Sequence, residues 1–237
     1  MNPTTPDELD RAQESIRLEY DRRRQQPPAR SLGPGVYAAR LARYDELFRD
    51  LGLLPLAHRR VLDMGCANGS WLEQCCRRWG ARPENCAGVD LREAGLLAWR
   101  AAHPDATMQL LCGSAHATPF GEASFDVVHQ SMMLSSIPNR ALRDETARHA
   151  WTRLRPGGVL ISYDLWWNPV NPHTIGITWR ELRRLFPEGR MVHFRRLTLA
   201  PPLSRLLAPL GAAPLAGLER LRVLNTHYLV AFGRDAQ

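Results

Sequence analysis

Residues 61–72 constrain the fold more than any other stretch of the chain. An apolar run there ends in an acidic residue and a glycine-containing turn, and a helix-like pattern follows at once. Such a junction predicts a strand, a tight loop and a helix N-terminus. Glycines let a ligand approach the backbone closely, and Asp63 can accept hydrogen bonds from a ligand amine or organise the loop. The loop is therefore predicted to hold a nucleotide-like cofactor.

The glycine spacing in this loop does not fit a dinucleotide site, which needs Gly-x-Gly-x-x-Gly. The loop instead resembles motif I of the class I S-adenosylmethionine-dependent methyltransferases, Asp/Glu-x-Gly-x-Gly-x-Gly, with alanine at the second glycine position. The resemblance implies S-adenosylmethionine as cofactor and assigns to its binding Asp63, Gly65, Cys66, Ala67 and Gly69. A loop that merely turns a strand into a helix is the alternative interpretation of the same residues.

Two further segments resemble the family's cofactor-binding elements. The apolar run Cys86–Asp90 ends in a carboxylate that can hold two ribose hydroxyls, and Leu91 follows it. A solvated Asp90 that caps the next helix is the alternative. A third predicted strand, 108–112, leads into Gly113, Ser114 and Ala115, which resemble the segment that contacts the adenine. Ser114 stands where the family often has Asp.

The remaining strands follow in the order that such a fold requires. Residues 124–131 resemble the fourth strand, and 154–161 resemble a Pro-Gly-Gly turn and fifth strand after a helix at about 140–154. Residues 190–199 and 225–232 are β-rich and are predicted to form a final antiparallel pair. Strands that alternate with helices indicate an α/β, doubly wound sheet. The resemblance implies a Rossmann-like, seven-stranded sheet with an antiparallel last strand and helices on both faces.

Two regions are predicted along the chain. Residues 1–36 form an N-terminal helical extension and a Pro- and Gly-rich hinge, and residues 37–237 form the methyltransferase domain, with a helix beginning at Tyr37. Insertions at about 163–180 and 200–224 are expected to cover the acceptor. A chain of 237 residues with 44% hydrophobic content can bury a substantial core, which agrees with an enzyme of one catalytic domain.

An aromatic and amide-rich stretch follows the fifth strand. Indole faces stack on flat rings and amides form hydrogen bonds with hydroxyls, so this stretch is a candidate acceptor-binding region. Tyr37 is a further candidate, because the N-terminal segment of related enzymes folds over the cofactor and shapes the acceptor pocket. The predicted acceptor-binding residues are Tyr37, Trp166, Trp167, Asn168 and Asn171. A structural loop whose tryptophans fill the core is the alternative.

Methyl transfer needs mainly positioning, because the sulfonium already activates the carbon, although an oxygen nucleophile also loses a proton. The candidates for the base are His129 at the end of the fourth strand, His173 in the aromatic loop, and Asp164. A structural role for each is the alternative. Gln130 and Ser131 are expected to hold the amino-acid end of the cofactor or the acceptor.

These features predict a small-molecule O-methyltransferase that acts on a sugar or secondary metabolite in natural product biosynthesis. A nucleic-acid (RNA) methyltransferase is the alternative, but a base-modifying enzyme is expected to carry a Pro-Pro-Tyr-like tetrad after the fourth strand, where this chain has His-Gln-Ser-Met. The net charge of +7 comes from arginines scattered over helices, since the chain contains no lysine. We therefore expect a small-molecule substrate and no nucleic-acid partner.

The chain lacks the pattern of a signal peptide and any apolar run of the length that spans a bilayer, so a cytoplasmic protein is expected. The apolar, Pro-interrupted stretch 197–224 is interpreted as buried against the sheet, with a substrate cover, a homodimer contact or a peripheral membrane contact as alternatives. Five cysteines without paired C-x-x-C motifs predict no metal site and buried thiols in a reducing compartment.

Overall fold

One mixed sheet organises the chain in the computed structural model, which describes residues 5–24, 34–167, 174–199 and 225–236. The strands are, in chain order, β1 (Val61–Met64), β2 (Cys86–Asp90), β3 (Gln109–Cys112), β4 (Phe125–Ser131), β5 (Leu154–Leu165), β6 (Arg190–Leu199) and β7 (Asn225–Gly233). The described helices are α1 (Pro6–Arg24), α2 (Pro34–Asp50), α3 (Ser70–Trp79), α4 (Glu93–Ala102), α5 (Arg140–Arg153) and α6 (Trp179–Leu185). Short 3-10 turns lie at Leu56–His58, Pro83–Asn85 and Leu134–Ser136.

The strand order is β3-β2-β1-β4-β5-β7-β6, with β1 to β5 parallel to one another and β7 antiparallel to both β5 and β6. The order reverses beside β1, because β2 lies on one side of it and β4 on the other. Ligands of open parallel sheets bind at such a reversal, outside the carboxyl ends of the strands. The predicted seven-stranded, doubly wound sheet with an antiparallel last strand is confirmed.

Helices cover the sheet on both faces. On the first face, α2, α3 and α4 pack against alternate residues of the strands, such as Val61, Val127 and Ile161. On the second face, α5 and α6 pack against the intervening residues, such as Leu62 and Val128. All four residues of β1 are buried, as expected for a central parallel strand covered on both sides. The alternation decides which side chains point toward each helix layer.

Three details differ from the sequence-based expectations. Helix α2 begins at Pro34 and not at Tyr37, since proline is well suited to the first turn of a helix. Strand β5 already begins at Leu154, and its register against β4 jumps from Phe125↔Leu154 to Val127↔Val159, so the Pro-Gly-Gly segment is an irregularity inside the strand. Cys112 is exposed and not buried, because β3 is the edge strand.

None of the helices in the described residues has the length and apolar character needed to cross a bilayer.

Close packing of β2 against the cofactor loop gives the first prediction. A Cβ at Gly88 would lie 2.8 Å from the Sγ of Cys66 and 3.0 Å from Leu110 Cδ2, whereas a Cβ at Gly113 would meet only Val89 Cγ2 at 3.9 Å. We expect Gly88→Ala to lower the free energy of unfolding by about 1–3 kcal/mol through overpacking. Gly113→Ala is the matched control and should change it by less than about 0.5 kcal/mol. Urea unfolding without ligand measures both, and equal stability of the two variants would contradict this packing.

Candidate functional site

A cavity of about 240 Å³ lies at the carboxyl ends of β1 to β4 and is covered by α1. Eight of the residues that the sequence assigned to cofactor binding line it: Gly65, Ala67, Asp90, Leu91, Gly113, Ser114, Ala115 and Ser131. They come from four separate segments that the parallel sheet brings to one edge. Four other predicted cofactor-binding residues do not line the cavity: Asp63, Cys66, Gly69 and Gln130.

The carboxylate of Asp90 fastens the loop after β1 to the end of β2. Its Oδ2 accepts a hydrogen bond from the backbone N–H of Ala67 at 2.8 Å, and its Oδ1 accepts one from the backbone N–H of Arg92 at 2.9 Å. Oδ1 also accepts from Nε of Arg92 at 3.2 Å, whereas Oδ2 has the one protein partner and keeps a lone pair for a ligand in the cavity. Asp90 is therefore placed both to shape the loop and to contact a bound diol.

The loop after β1 keeps a glycine-like backbone although it contains an alanine. Ala67 has φ +55°, between Gly65 at +77° and Gly69 at +73°. A left-handed alanine costs about 1–2 kcal/mol, a strain that the Asp90 hydrogen bond at its N–H helps to offset. At Gly69 a Cβ would lie 2.9 Å from Leu110 Cδ1, so glycine is needed there for close packing. Gly69 and the buried Cys66 therefore support the loop from behind.

Asp63 and His129 form a buried hydrogen-bonded chain with Tyr44 of α2. Nδ1 of His129 lies 2.7 Å from Oδ1 of Asp63, and Nε2 of His129 lies 2.7 Å from the Tyr44 hydroxyl. The imidazole is fully buried and stacks on Trp71 with ring centroids 3.6 Å apart. Both ring nitrogens are thus occupied, and His129 does not reach the cavity. This arrangement favours a positioning role for His129, through Asp63 and the loop after β1.

Gln130 and Asp164 hold the turn that walls the cavity. Oε1 of Gln130 accepts hydrogen bonds from the backbone N–H groups of Met133 and Leu134, at 3.0 and 3.3 Å. Oδ2 of Asp164 accepts from the N–H of Ser135 and from Nε2 of Gln130, each at 3.2 Å. Asp164 is fully buried, and burial raises its pKa to about 6. Neither side chain lines the cavity, so Asp164 is placed as a support and not as a base in contact with an acceptor.

The predicted acceptor-binding residues are only partly brought together. Trp166 is half-buried, and its indole N–H donates to the backbone oxygen of Asn225 at 2.6 Å, while Trp167 is 53% exposed. Tyr37 is half-buried on α2, with the guanidinium of Arg40 5.0 Å from its ring centroid. The candidates Asn168, Asn171 and His173 lie outside the described residues, as does the stretch 200–224.

Further cavity residues that the sequence did not reveal come from α1, β2, α5 and the segments after β2, β3 and β4. These are Gln13, Ile16, Tyr20, Val89, Arg92, His116, Met132, Met133, Ser136, Ile137, Leu142 and Thr146. The guanidinium of Arg92 lies 5.2 Å from the ring centroid of Tyr20, so α1 is linked to the same edge that carries Asp90. No local spacing marks such residues, because they reach the cavity from distant parts of the chain.

A polar cluster lies beside the cavity, and the sequence analysis did not predict its members Thr198 and His227. Tyr163 of β5 pairs in register with Ser131, which lines the cavity, and its ring stacks on His227 of β7 with centroids 5.2 Å apart. Arg40 lies 5.0 Å from the Tyr163 ring centroid, and the Tyr163 hydroxyl lies 2.8 Å from Oγ1 of Thr198. Burial, together with the charge of Arg40, lowers the pKa of His227 to about 4. His227 is therefore a neutral imidazole at pH 7.

Comparisons with known proteins agree with this geometry. Residues 61–158 match a family described as "Methyltransferase domain". Residues 61–158 thus form a methyltransferase domain, and the sheet around them has the fold of the class I S-adenosylmethionine-dependent methyltransferases. The fold is similar to that of a geranyl diphosphate C-methyltransferase from Streptomyces coelicolor, solved with S-adenosyl-L-homocysteine, with a TM-score of 0.58, 18% identity and coverage of 81% of this chain and 77% of that one. The ligand of that structure is the demethylated form of S-adenosylmethionine, the cofactor predicted from the sequence.

The names of two curated relatives refer to different kinds of acceptor. A tRNA U34 carboxymethyltransferase of Methylococcus capsulatus is 29% identical over 93% of this chain and 68% of its own length. A phthiotriol/phenolphthiotriol dimycocerosates methyltransferase of Mycobacterium ulcerans is 31% identical over 46% of this chain and 39% of its own length. One of these names refers to an RNA and the other to a lipid, so the acceptor class does not follow from them.

The residues that line the cavity fit the cofactor of a methyltransferase of this class. Asp90 offers a carboxylate oxygen to a ribose diol. The hydroxyl of Ser114 also lines the cavity, where it donates to Oε1 of Gln13 and lies beside Nδ1 of His116, so an adenine edge would replace one of these partners. Apolar side chains, including Leu91, Ile137 and Leu142, supply flat contact surface for a purine. At Gly65 a Cβ would lie 3.1 Å from Met133 Cβ, so the bare backbone keeps this part of the cavity open.

The buried carboxylate of Asp164 gives a pH prediction. Its pKa rises from 3.8 to about 6 on folding, so the folded methyltransferase binds this proton more tightly than the unfolded chain does. The group's contribution to stability is then lost as the pH rises from about 4 to about 6, by on the order of 3 kcal/mol. His149 and His227, with pKa values lowered to about 4, contribute the opposite slope. The measurement must therefore compare the wild type with a variant that lacks the carboxyl group.

Urea unfolding of the wild type and of Asp164→Asn at pH 4.5 and 6.5 isolates this group. We expect the stability of the wild type relative to the variant to fall between the two pH values. A matched control is Asp105→Asn, which alters an exposed carboxyl group. The difference in stability between the wild type and this control should be the same at both pH values. If the wild type and Asp164→Asn differed by the same amount at both pH values, Asp164 would not have a raised pKa.

Proposed function

We propose that the chain transfers the methyl group of S-adenosylmethionine to a hydroxyl of a small polar acceptor, such as a sugar or a secondary metabolite. The observation that supports this is the cluster of Arg40, Tyr163 and His227 beside the cofactor cavity. It combines ring faces, hydrogen-bonding groups and one cation at the carboxyl edge of β5. Sugars and hydroxylated rings are bound by groups of these kinds.

Arg40 provides the polar anchor of the proposed acceptor site. It is half-buried, its guanidinium lies 5.0 Å from the ring centroids of both Tyr37 and Tyr163, and no carboxylate pairs with it in the part of the chain that the structure describes. A half-buried cation without a counter-ion favours a ligand that supplies acceptor oxygens. The ring faces of the two tyrosines leave Arg40 oriented by packing before the acceptor arrives.

The proposed mechanism relies mainly on positioning. S-adenosylmethionine supplies an electrophilic methyl group and a neutral leaving thioether. The chain's own residues orient the cofactor through Asp90 and the loop after β1, and α1 excludes water from the cavity. His227 is itself buried and does not line the cofactor cavity. The proposed acceptor lies against Arg40 and Tyr163, where the neutral imidazole of His227 receives the hydrogen bond, and in the transfer step the proton, of the acceptor hydroxyl. Nδ1 of His227 lies 3.0 Å from the Thr226 hydroxyl, an arrangement that favours Nε2 as the atom facing the acceptor.

A second candidate function is methylation of RNA. The observation in its favour is the similarity to tRNA U34 carboxymethyltransferases, which extends over 93% of this chain in one case. Against it, the segment after β4 lacks the Pro-Pro-Tyr-like tetrad that base-modifying enzymes use to stack a flipped base. The two candidates differ in acceptor and not in cofactor.

Cofactor binding is tested by calorimetric titration of the purified chain with S-adenosylmethionine and S-adenosylhomocysteine. We expect saturable binding of both, and a Kd raised at least about tenfold in Asp90→Asn, because one of the two acceptor oxygens at the ribose and loop contacts is lost. Asp105→Asn, an exposed carboxyl change, is the matched control and should bind like the wild type. Equal affinity of Asp90→Asn and the wild type would remove Asp90 from the cofactor site.

The acceptor class is tested with tritiated S-adenosylmethionine against a panel of glycosides, hydroxylated aromatic compounds and bulk tRNA. We expect label in the small molecules, and kcat reduced about 100-fold in His227→Asn with little change in KM, because asparagine cannot accept the proton. The exposed His58→Asn is the control. Label in tRNA alone would favour the second candidate, and full turnover by His227→Asn would leave the base unassigned.

A further inference from the structure

Large apolar side chains are exposed together on one side of the sheet. Trp167 is 53% exposed, Trp179 44%, Met191 41% and Phe194 42%, and all four lie near the edge strand β6 or the end of β5. The other exposed apolar residues of comparable size, Leu18, Leu54 and Leu97, lie on separate elements. Contiguous exposure of this kind marks a contact surface more often than scattered exposure does.

The register of β6 places these side chains on one face. Met191 pairs with Phe232, Phe194 with Val230 and Arg196 with Tyr228, and the three partners on β7 all belong to the core of the second face. A register irregularity between Met191 and His193 restores the alternation, so that Met191, Phe194 and Arg196 point the same way. An irregularity that re-aims side chains at a sheet edge is a common feature of functional edges.

Helix α6 and the end of β5 extend this surface. The ring of Trp179 meets Phe194 edge-on with centroids 5.8 Å apart, and Arg183 lies 5.8 Å from the Trp179 ring centroid. The guanidinium of Arg196 lies 4.4 Å from the Trp166 ring centroid, and Trp166 neighbours Trp167. We call the surface formed by Trp167, Trp179, Arg180, Arg183, Met191, Phe194 and Arg196 the arginine–aromatic face.

The charge of this face is positive. Arg180, Arg183 and Arg196 pair with no carboxylate in the described residues. The neighbouring carboxylates are already engaged, since Glu181 pairs with Arg143 and Arg184, and Asp235 pairs with Arg190. Three cations without counter-ions surround exposed indole, phenyl and thioether groups, and the whole chain carries +7. Such a surface complements a partner that is both anionic and apolar.

We propose that the arginine–aromatic face docks on a membrane surface that contains anionic phospholipids. Trp, Phe and Met side chains enter the boundary between headgroups and acyl chains, while the arginines contact lipid phosphates. This inference goes beyond the proposed function and does not depend on the identity of the acceptor.

Ring geometry favours a membrane over a nucleic acid. Base stacking needs open ring faces in succession. Here Arg183 lies over Trp179, Arg196 lies over Trp166, and the rings of Trp179 and Phe194 are 73° apart, so the rings do not form a common platform. A bilayer interface needs only apolar volume beside cations.

Strand direction connects this face to the active site. Strands β5 and β6 are both antiparallel to β7, so they run in the same direction, and the Arg196 end of β6 lies at the carboxyl edge of the sheet. The cofactor cavity and Arg40 lie at this same edge. A membrane that touched the Arg196 end of the arginine–aromatic face would therefore lie at the same edge of the sheet as the proposed acceptor site.

The test is flotation of the full chain with vesicles of phosphatidylcholine alone or mixed equally with phosphatidylglycerol. We expect binding only to the anionic vesicles, and a partition coefficient at least about tenfold lower for Arg180→Glu/Arg183→Glu. The matched control is Arg77→Glu/Arg82→Glu, which makes the same change of charge at exposed positions on the other side of the molecule and should bind within about twofold of the wild type.

The apolar contribution is measured with Phe194→Ala, which should also weaken binding, against the exposed Leu97→Ala, which should not. Circular dichroism and thermal unfolding verify that each variant is folded. Failure of the wild type to bind anionic vesicles, or an equal loss in the two charge-reversal variants, would overturn the proposal. A third outcome, binding of a single-stranded RNA oligomer that is lost in Arg180→Glu/Arg183→Glu without vesicle binding, would overturn it in favour of RNA.

Discussion

The hydrogen bonds of Asp90 are the constraint on which the cofactor site depends. One carboxylate at the end of β2 accepts the N–H of Ala67 from the loop after β1 and the N–H of Arg92 from its own loop, so two neighbouring strand ends are held at a fixed separation. Arg92 then contacts Tyr20, which brings helix α1 over the same point. Loss of this carboxylate would release the loop after β1 and the support of Arg92 beneath α1 together. An acid at this position therefore holds the walls of the cavity in place.

Much of the fold could be predicted from the sequence, because parallel strands buried on both faces are short apolar runs with glycine, proline or acidic residues at their ends. The strands that carry Asp63 and Asp90 are of this kind, and both were placed correctly with the sheet that joins them. The errors arose at proline and glycine residues that were interpreted as ends of elements but lie inside an element or at its start. Pro156 and two glycines predicted a turn before a strand, but the register of β5 against β4 absorbs them as an irregularity. Proline at the start of α2 was interpreted as part of a hinge, although the first turn of a helix accepts it.

Whether a residue of the candidate site could be predicted depends on its position in the chain relative to the strands. Those that directly follow a strand, such as Asp90 and Ser114, could be predicted because strand ends of a parallel sheet share one edge. Residues that depend on a distant partner could not. His129 occupies the position of a base, yet Tyr44, 85 positions earlier, occupies its Nε2 and removes it from the cavity. Conversely, His227 lies in a strand whose composition indicates only β structure, and its neutral state depends on burial and on Arg40 of α2.

The absence of lysine changes how the positive charge of the chain should be interpreted. Guanidinium groups are planar and weakly hydrated, so arginine packs on ring faces where an ammonium group would stay in water. Arg60 over Phe125 and Arg92 over Tyr20 use this property inside the fold, with distances of 5.0 and 5.2 Å to the ring centroids. Arginines of this kind contribute to the formal charge while they pack on rings of the fold. Charge becomes informative only where arginines lack carboxylates and lie beside exposed apolar groups, and Arg183 next to Trp179 meets both conditions. Position within the surface, and not net charge, is what carries information about partners.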